Sequence, residues 1–100
     1  MDFKRINCKD CLRLIQNNDV TIIDIRDVNS FQAGHISKAK HIDEINLDSF
    51  VQEHDKQAPL VICCYHGNSS LSAAQFFVEK AFTNVYSLDG GFAAWSMLNA

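Results

Sequence analysis

The chain has 100 residues, of which 47% are hydrophobic and 21% charged, a composition typical of one globular domain over residues 1–100 and not of a disordered or collagen-like chain. Its formal net charge is −3 and its nine basic residues are scattered, which excludes a nucleic-acid-binding surface built on clustered Lys and Arg. Its longest apolar run, Leu60 to Tyr65, is far shorter than the roughly 20 residues that cross a bilayer, so we expect no membrane span.

Segments with the pattern of buried strands alternate with segments of helical periodicity. In chain order, the sequence predicts strand 3–6, helix 8–16, strand 20–25, helix 30–33, strand 39–42, helix 47–54, strand 60–65, helix 69–80, strand 85–88 and helix 91–98. The first helix has Asn7 as its N-cap, and the second ends at Gly34. The strands at 20–25 and 60–65 are the most apolar, which indicates the centre of a parallel sheet. This alternation predicts an α/β domain with helices on both faces of a largely parallel sheet.

The four cysteines, Cys8, Cys11, Cys63 and Cys64, are candidates for disulfides, metal ligands or a reactive thiol. A disulfide framework is not expected, because adjacent Cys63 and Cys64 point to opposite faces of a strand. Cys63 lies inside the apolar run and is interpreted as a core residue. Cys8 and Cys11 have the spacing of a redox motif, but that spacing also places both on the apolar face of a helix. We interpret them as core residues and predict no metal site and no cofactor.

The N-terminal residues include Lys4 and Arg5, but no apolar stretch follows that would serve as a secretory signal. Cysteines without a disulfide pattern fit a reducing compartment. We therefore expect a cytoplasmic protein.

The loop after the strand at 60–65 is the best candidate for a functional site, because ligands of parallel sheets bind beyond the carboxyl ends of the strands. Here Cys64 faces the N-terminus of the next helix, whose dipole and free N–H groups lower a thiol pKa. Gly67 and Asn68 tolerate left-handed backbone angles, which let N–H groups turn inward around the sulfur. Ser69 and Ser70 are able to cap the helix or donate hydroxyl groups. The loop thus predicts a nucleophilic thiolate.

Four segments together resemble the rhodanese family, in particular its single-domain thiosulfate sulfurtransferases. They are Asp24-Ile25-Arg26, Phe31 with Gly34-His35-Ile36, Cys64-Tyr65-His66-Gly67-Asn68-Ser69-Ser70, and Asp89-Gly90-Gly91-Phe92 with Trp95. The resemblance spans nearly the whole chain. It implies a three-layer α/β/α fold with a five-stranded parallel sheet of order 3-2-4-5-1.

The resemblance also implies a double-displacement reaction. In it, Cys64 takes the outer sulfur of thiosulfate as a persulfide and passes it to cyanide, a small thiol or a thioredoxin-like dithiol protein. The residues that follow the cysteine would bind the substrate: Tyr65, His66, Gly67, Asn68, Ser69 and Ser70.

This loop departs from the commonest rhodanese loop, which carries arginines where this chain has Tyr65 and Ser69. No basic residue occurs from Gln57 to Glu79, so anion attraction is expected from backbone N–H groups, the helix dipole, hydroxyls and, at most, Arg26. A cysteine phosphatase is disfavoured, because its loop is longer and holds phosphate with an arginine. A persulfide carrier fed by a protein donor and a non-enzymatic binding module stay open as alternatives.

The remaining polar residues are interpreted as structural. Arg26 is expected to form an ion pair with Asp24 or Asp27 at a strand end, with substrate contact as the alternative. The histidines show no metal-ligand spacing, and His66 either tunes the persulfide or contacts solvent. Gly90 and the following glycine predict a turn that passes close to the active loop, with Phe92 and Trp95 packing the last helix.

Overall fold

The computed structural model describes residues 2–98. Over that range, strands and helices alternate as β1 (Lys4–Ile6), α1 (Cys8–Asn17), β2 (Thr21–Asp24), α2 (Val28–Ala33), β3 (Lys40–His41), α3 (Leu47–Glu53), β4 (Leu60–Cys63), α4 (Ser69–Glu79), β5 (Val85–Leu88) and α5 (Gly91–Trp95). All the predicted elements are present in the predicted order. No helix in this range is long and apolar enough to span a bilayer.

Three predicted boundaries differ from the structure by two residues or more, and the others agree to within one residue. β4 ends at Cys63, not at Tyr65, because the carbonyl oxygens of Cys64 and Tyr65 accept hydrogen bonds from N–H groups of α5 and not from a neighbouring strand. α2 begins earlier than expected, since the side chain of Asp27 accepts a hydrogen bond from the Ser30 N–H and so acts as the N-cap. α5 ends at Trp95, earlier than the periodicity had predicted. The caps predicted at Asn7 and Gly34 are confirmed.

The sheet has five parallel strands, within residues 2–98, in the order β1-β5-β4-β2-β3. Read from the opposite edge, this is the expected order 3-2-4-5-1, and the prediction is confirmed. β4 lies at the centre, where Ile62 is paired with Ile23 of β2 on one side and with Ser87 of β5 on the other. The loop after β4 therefore leaves the middle of the sheet's carboxyl edge.

Side chains alternate between the two faces of the sheet and build two hydrophobic cores. On one face, Val61 and Cys63 of β4 pack with the buried residues Cys8 and Cys11 of α1. On the other face, Leu60 and Ile62 of the same strand belong to a core with the α4 residues Ala74 and Phe77. These two cores give the three-layer α/β/α architecture.

The Cys8/Cys11 pair is part of the first core, as predicted. Cys11 is fully buried, and burial raises its pKa to about 12. Cys8 is almost as buried, and burial also raises its pKa above the ordinary value. Among residues 2–98, no group of three or more His, Cys, Asp or Glu side chains is arranged as metal ligands would be.

Arg26 and Asp24 form a buried ion pair at the carboxyl end of β2. Arg26 Nη2 lies 2.8 Å from Asp24 Oδ2, and Nε lies 3.0 Å from Oδ1. Nη2 also donates to the Gly34 carbonyl oxygen at 2.7 Å, and the guanidinium carbon lies 4.2 Å from the centre of the Phe92 ring. The predicted structural ion pair is present with Asp24, whereas Asp27 caps α2.

Candidate active site

Cys64 is the first residue after β4, and the loop that follows it ends at Ser69, where α4 begins. Successive residues at the end of a strand point in opposite directions. Cys63 therefore enters the core beneath α1 and is fully buried. The Cys64 side chain turns under its own loop and keeps 4% of its surface exposed. The two adjacent thiols thus lie in different environments.

Gly67 brings the loop back over the sulfur. Its φ of +90° lies in the region that disfavours residues with a Cβ. Its N–H donates to Cys64 Sγ at 3.1 Å. A Cβ at this position would lie 2.7 Å from the backbone nitrogen of Gly90 and 3.2 Å from the Leu88 carbonyl oxygen. Glycine is required here by its dihedral angle and by the close approach of the neighbouring backbone.

Ser70, in the first turn of α4, supplies a second backbone donor and a hydroxyl group. Its N–H donates to Cys64 Sγ at 3.3 Å, and its Oγ also lies 3.3 Å from that sulfur. Ser70 is fully buried because it begins the inward-facing stripe of α4 that continues with Ala74 and Phe77. The hydroxyl of Ser70 also contacts the hydroxyl of Ser87 on β5 at 2.8 Å.

These donors lower the pKa of Cys64. Burial alone would raise the thiol pKa, but the hydroxyl of Ser70 and the N–H groups of Ser70, Gly67 and His66 outweigh it and hold the pKa below its ordinary value. The adjacent thiol behaves in the opposite way, since burial raises the pKa of Cys63 to about 12. The hydrogen-bond donors around Cys64 therefore favour its thiolate, whereas burial disfavours the thiolate of Cys63.

The loop is held from behind by the turn that starts α5. The N–H of Phe92 donates to the Cys64 carbonyl oxygen at 2.8 Å, and the N–H of Ala93 donates to the Tyr65 carbonyl oxygen at 3.0 Å. Gly91 has a φ of +58°, and a Cβ there would overlap the Cys64 carbonyl oxygen. The predicted approach of this glycine turn to the active loop is confirmed.

The other loop residues turn their side chains outward. Tyr65, His66, Asn68 and Ser69 are exposed, and the structure gives none of these side chains a hydrogen bond to the sulfur. Asn68 does not adopt the left-handed conformation that its residue type tolerates. Its φ of −94° is right-handed because the residue already belongs to the entry into α4. The contribution of His66 to the thiolate comes from its backbone N–H.

A cleft of about 190 Å³ lies beside this loop. It is lined by Arg26, Ser30, Ala33, Gly34, Tyr65 and Phe92. The guanidinium carbon of Arg26 lies 5.9 Å from the centre of the Tyr65 ring, so the buried ion pair of β2 borders the outer side of the loop. A larger cleft of about 470 Å³ lies between the ends of β2 and β3, and Cys64 lines neither of the two clefts.

Residues 7–98 match the family described as the Rhodanese-like domain. The chain belongs to the rhodanese family. This match covers strands β2 to β5, the loop after β4 and the glycine turn before α5, and the expected family and fold are confirmed.

Relatives of known name cover most of this rhodanese domain. The chain is 48% identical over 93 residues to "Thiosulfate sulfurtransferase GlpE" of Pseudomonas aeruginosa. The aligned region covers 93% of this chain and 84% of the relative. It is 46% identical over 98 residues to the protein of the same name from Shewanella oneidensis, covering 98% of this chain and 97% of the relative. The solution structure of a rhodanese-like domain from Anabaena sp. superimposes with a TM-score of 0.85 at 21% identity, over 96% of this chain and 75% of that one, and agrees in fold.

Proposed function

We propose that this rhodanese-family chain is a thiosulfate sulfurtransferase in which Cys64 carries the transferred sulfur as a persulfide. One observation carries the assignment: the N–H groups of Gly67 and Ser70 and the hydroxyl of Ser70 converge on a single sulfur atom. The names of the relatives, which are 46–48% identical to this chain, support the activity. The chain is accordingly an enzyme of sulfur transfer.

In the first half-reaction, the Cys64 thiolate attacks the outer sulfur of thiosulfate. A sulfur–sulfur bond forms to Cys64 while the sulfur–sulfur bond of thiosulfate breaks, and sulfite leaves with the bonding electron pair. The lowered pKa of Cys64 supports this step, because the thiolate and not the thiol is the nucleophile.

In the second half-reaction, an acceptor nucleophile attacks the outer sulfur of the persulfide. The bond between the two sulfurs breaks, and its electron pair returns to Cys64 as the thiolate. We propose cyanide, a small thiol or a thioredoxin-like dithiol protein as acceptors. The donors of Gly67 and Ser70 would then stabilise the leaving thiolate, as they stabilise the resting one.

The substrate anion must be attracted without an arginine in the loop. Arg26 is already committed to Asp24 and to the carbonyl oxygen of Gly34. We therefore assign the attraction of thiosulfate to the backbone N–H groups at the start of α4 and to the dipole of that helix. The exposed side chains of Tyr65 and His66, with those of Asn68 and Ser69, are proposed to contact the donor or the acceptor at the mouth of the loop.

The four cysteines are unpaired, which supports a location in a reducing compartment such as the cytoplasm. The side chains of the candidate site all belong to the described residues of this chain. The proposed cycle needs only the Cys64 sulfur, a sulfur donor and a sulfur acceptor.

Intact-protein mass spectrometry tests the proposal directly. The parent protein should gain one sulfur atom with thiosulfate and lose it again with cyanide. Cys64→Ser should gain none, and Cys63→Ala, the control at the adjacent thiol, should behave as the parent. A Cys64→Ser variant that still transfers sulfur would disprove the mechanism. A parent that accepts sulfur from a persulfide protein but not from thiosulfate would favour the carrier alternative.

A further inference from the structure

A second buried hydroxyl lies behind the one that contacts the cysteine. Ser87 is on β5, two residues after Val85, and so faces the same side of the sheet as the core beneath α4. Ser70 begins the buried stripe of α4 on that side. Both serines are fully buried, and their Oγ atoms are 2.8 Å apart. A row of three polar atoms therefore runs from Ser87 through Ser70 to Cys64 Sγ.

Burial of the Ser87 hydroxyl is energetically unfavourable unless it has a hydrogen-bond partner. It is paired in the sheet with Ile62 and sits in an otherwise apolar strand, where a hydroxyl without a partner is unfavourable. Among the described residues, the hydroxyl of Ser70 is the one side-chain partner recorded for it. Alanine would fill this position without a polar group to satisfy, so the packing of the sheet does not account for the serine.

The positions of the hydroxyl protons show which protonation state of Cys64 is favoured by the row of Ser87, Ser70 and Cys64. A Cys64 thiolate has no proton to give and only accepts, so the Ser70 hydroxyl, 3.3 Å away, then donates to the sulfur, and the Ser87 hydroxyl, 2.8 Å from Ser70 Oγ, donates to that oxygen. Each hydroxyl proton then has an acceptor, and the acceptor at the end of the row is charged. The proton that left the thiol has gone to solvent water.

When Cys64 is a thiol, the two hydroxyl groups and the S–H group do not all find a good hydrogen-bond acceptor within the row. If the S–H donates to Ser70 Oγ, the Ser70 hydroxyl must turn to Ser87, whose own proton is then left without a side-chain acceptor. If the S–H points away, the Ser70 hydroxyl faces a thiol sulfur, which is a weak acceptor. Either arrangement leaves one donor of the row badly paired in a buried site.

We propose that Ser87 is a positioning residue that turns the hydroxyl proton of Ser70 toward Cys64 Sγ and thereby favours the thiolate over the thiol. This inference rests on the proposed role of Cys64 as the nucleophile. Ser87 itself does not touch the reacting atom, because it acts through Ser70. The lowered pKa of Cys64, to which the Ser70 hydroxyl contributes, agrees with this arrangement.

The test is the pH dependence of Cys64 alkylation by iodoacetamide, read by fragment masses that separate Cys64 from Cys63. Ser87→Ala should move the midpoint upward by about half a pH unit to one unit, the size expected for one lost hydrogen bond. Ser70→Ala should move it at least as far. The matched control is Ser72→Ala, the same change at an exposed position of α4, and it should keep the parent's midpoint.

A double variant decides whether Ser87 acts through Ser70. In the Ser70→Ala background, Ser87→Ala should cause no further shift, because the hydroxyl that it positions is gone. Additive shifts, or a Ser87→Ala profile that superimposes on the parent's, would overturn the proposal. Ser87→Thr, which keeps a hydroxyl, should recover part of the parent's midpoint, and a Ser87→Thr midpoint equal to that of Ser87→Ala would count against it.

Alkylation does not depend on sulfur transfer, so the two proposals fail separately. A parent protein that never forms a persulfide, but whose alkylation midpoint shifts in Ser87→Ala, would reject the sulfurtransferase assignment and support the hydroxyl row. If both are correct, the rate of persulfide formation in Ser87→Ala should fall below the parent's at low pH and approach it above both midpoints.

Discussion

The backbone N–H of Phe92 donates to the carbonyl oxygen of Cys64 at 2.8 Å, so the residue that we propose as the nucleophile is fixed by the first turn of α5. This bond joins two loops at the carboxyl edge of the sheet. It leaves the side chain of Cys64 free to face Gly67 and Ser70, because the carbonyl is held on the other side. The position of the sulfur therefore depends on a turn that contributes no side chain to it.

Gly67→Val tests whether backbone geometry activates the cysteine. The new Cβ would clash with the backbone nitrogen of Gly90, and valine at a positive φ adds strain of about 1–3 kcal/mol. The loop should relax, move the Gly67 N–H away from the sulfur and raise the pKa of Cys64. We expect a steep loss of thiosulfate:cyanide activity and a higher alkylation midpoint.

The control for this variant is His66→Ala, which removes an exposed ring and keeps the backbone N–H. It should retain a measurable rate and the parent's pH profile. If His66→Ala were inactive while Gly67→Val turned over normally, the imidazole and not the backbone would be the activating group.

Gly91→Ala tests the support behind the loop. A methyl group at Gly91 would overlap the carbonyl oxygen of Cys64, and the positive φ adds strain, together about 1–3 kcal/mol of lost stability. Urea unfolding should show this loss, and sulfur transfer should decrease with it. Gly34→Ala is the matched control, because Gly34 has an extended backbone and its added Cβ would meet the Phe92 ring at an ordinary 3.7 Å. Equal stability of the two variants would contradict the proposed support.

Phosphatase activity should be absent. A phosphate dianion is usually held by an arginine fork, and Arg26 is bound to Asp24 and Gly34 instead. Incubation with p-nitrophenyl phosphate should release no nitrophenol above the level of Cys64→Ser. Release that depends on Cys64 would show that backbone donors alone can hold this substrate.

His54 predicts a specific loss of stability in acid. Its ring stacks on Phe50, with the ring of Phe82 further along, and its buried Nε2 has no hydrogen-bond partner among residues 2–98. Burial, followed by the nearby charges of Lys40 and Lys56, lowers its pKa in the folded protein, with Asp55 acting in the opposite direction.

Because the unfolded chain then binds the proton more readily, the contribution of His54 to stability is complete above the unfolded pKa of about 6.5 and is lost as pH falls below it. We expect the free energy of unfolding of the parent to fall relative to that of His54→Phe between neutral pH and about pH 5. Subtracting the two urea series removes the contribution of the other titrating groups. Parallel curves would show that the ring titrates as it does in the unfolded chain.

The sequence was sufficient for the order of the elements and for the position of Cys64 between a central strand and a helix. The apolar run before Cys64 predicted a central strand, and the glycine and serines after it predicted a helix entry, so the thiol was placed between them. The end of β4 was misjudged because Tyr65 is as good a strand former as the residues before it. In the folded chain the pairing of β4 ends at Cys63, and the Tyr65 carbonyl oxygen bonds to α5 instead.

Ser87 was not recognised, because its partner is 17 residues away on another element. The available signal was a serine within an otherwise apolar strand that was predicted to be buried. For Arg26, the sequence predicted an ion pair with Asp24 or Asp27 but did not decide between them. The choice depends on the direction of each side chain: Asp24 at the end of β2 points inward, whereas Asp27 is the N-cap of α2.

His66 stabilises the sulfur through its backbone N–H, while its imidazole is exposed to solvent. His66 thus has a backbone N–H that stabilises charge on the Cys64 sulfur and an exposed side chain that is available to contact a substrate. The preference for one sulfur donor over another is accordingly open to redesign at the exposed side chains of the loop, without loss of the Cys64 thiolate. A library that varies Tyr65, His66 and Ser69 would sample new sulfur donors on an unchanged thiolate.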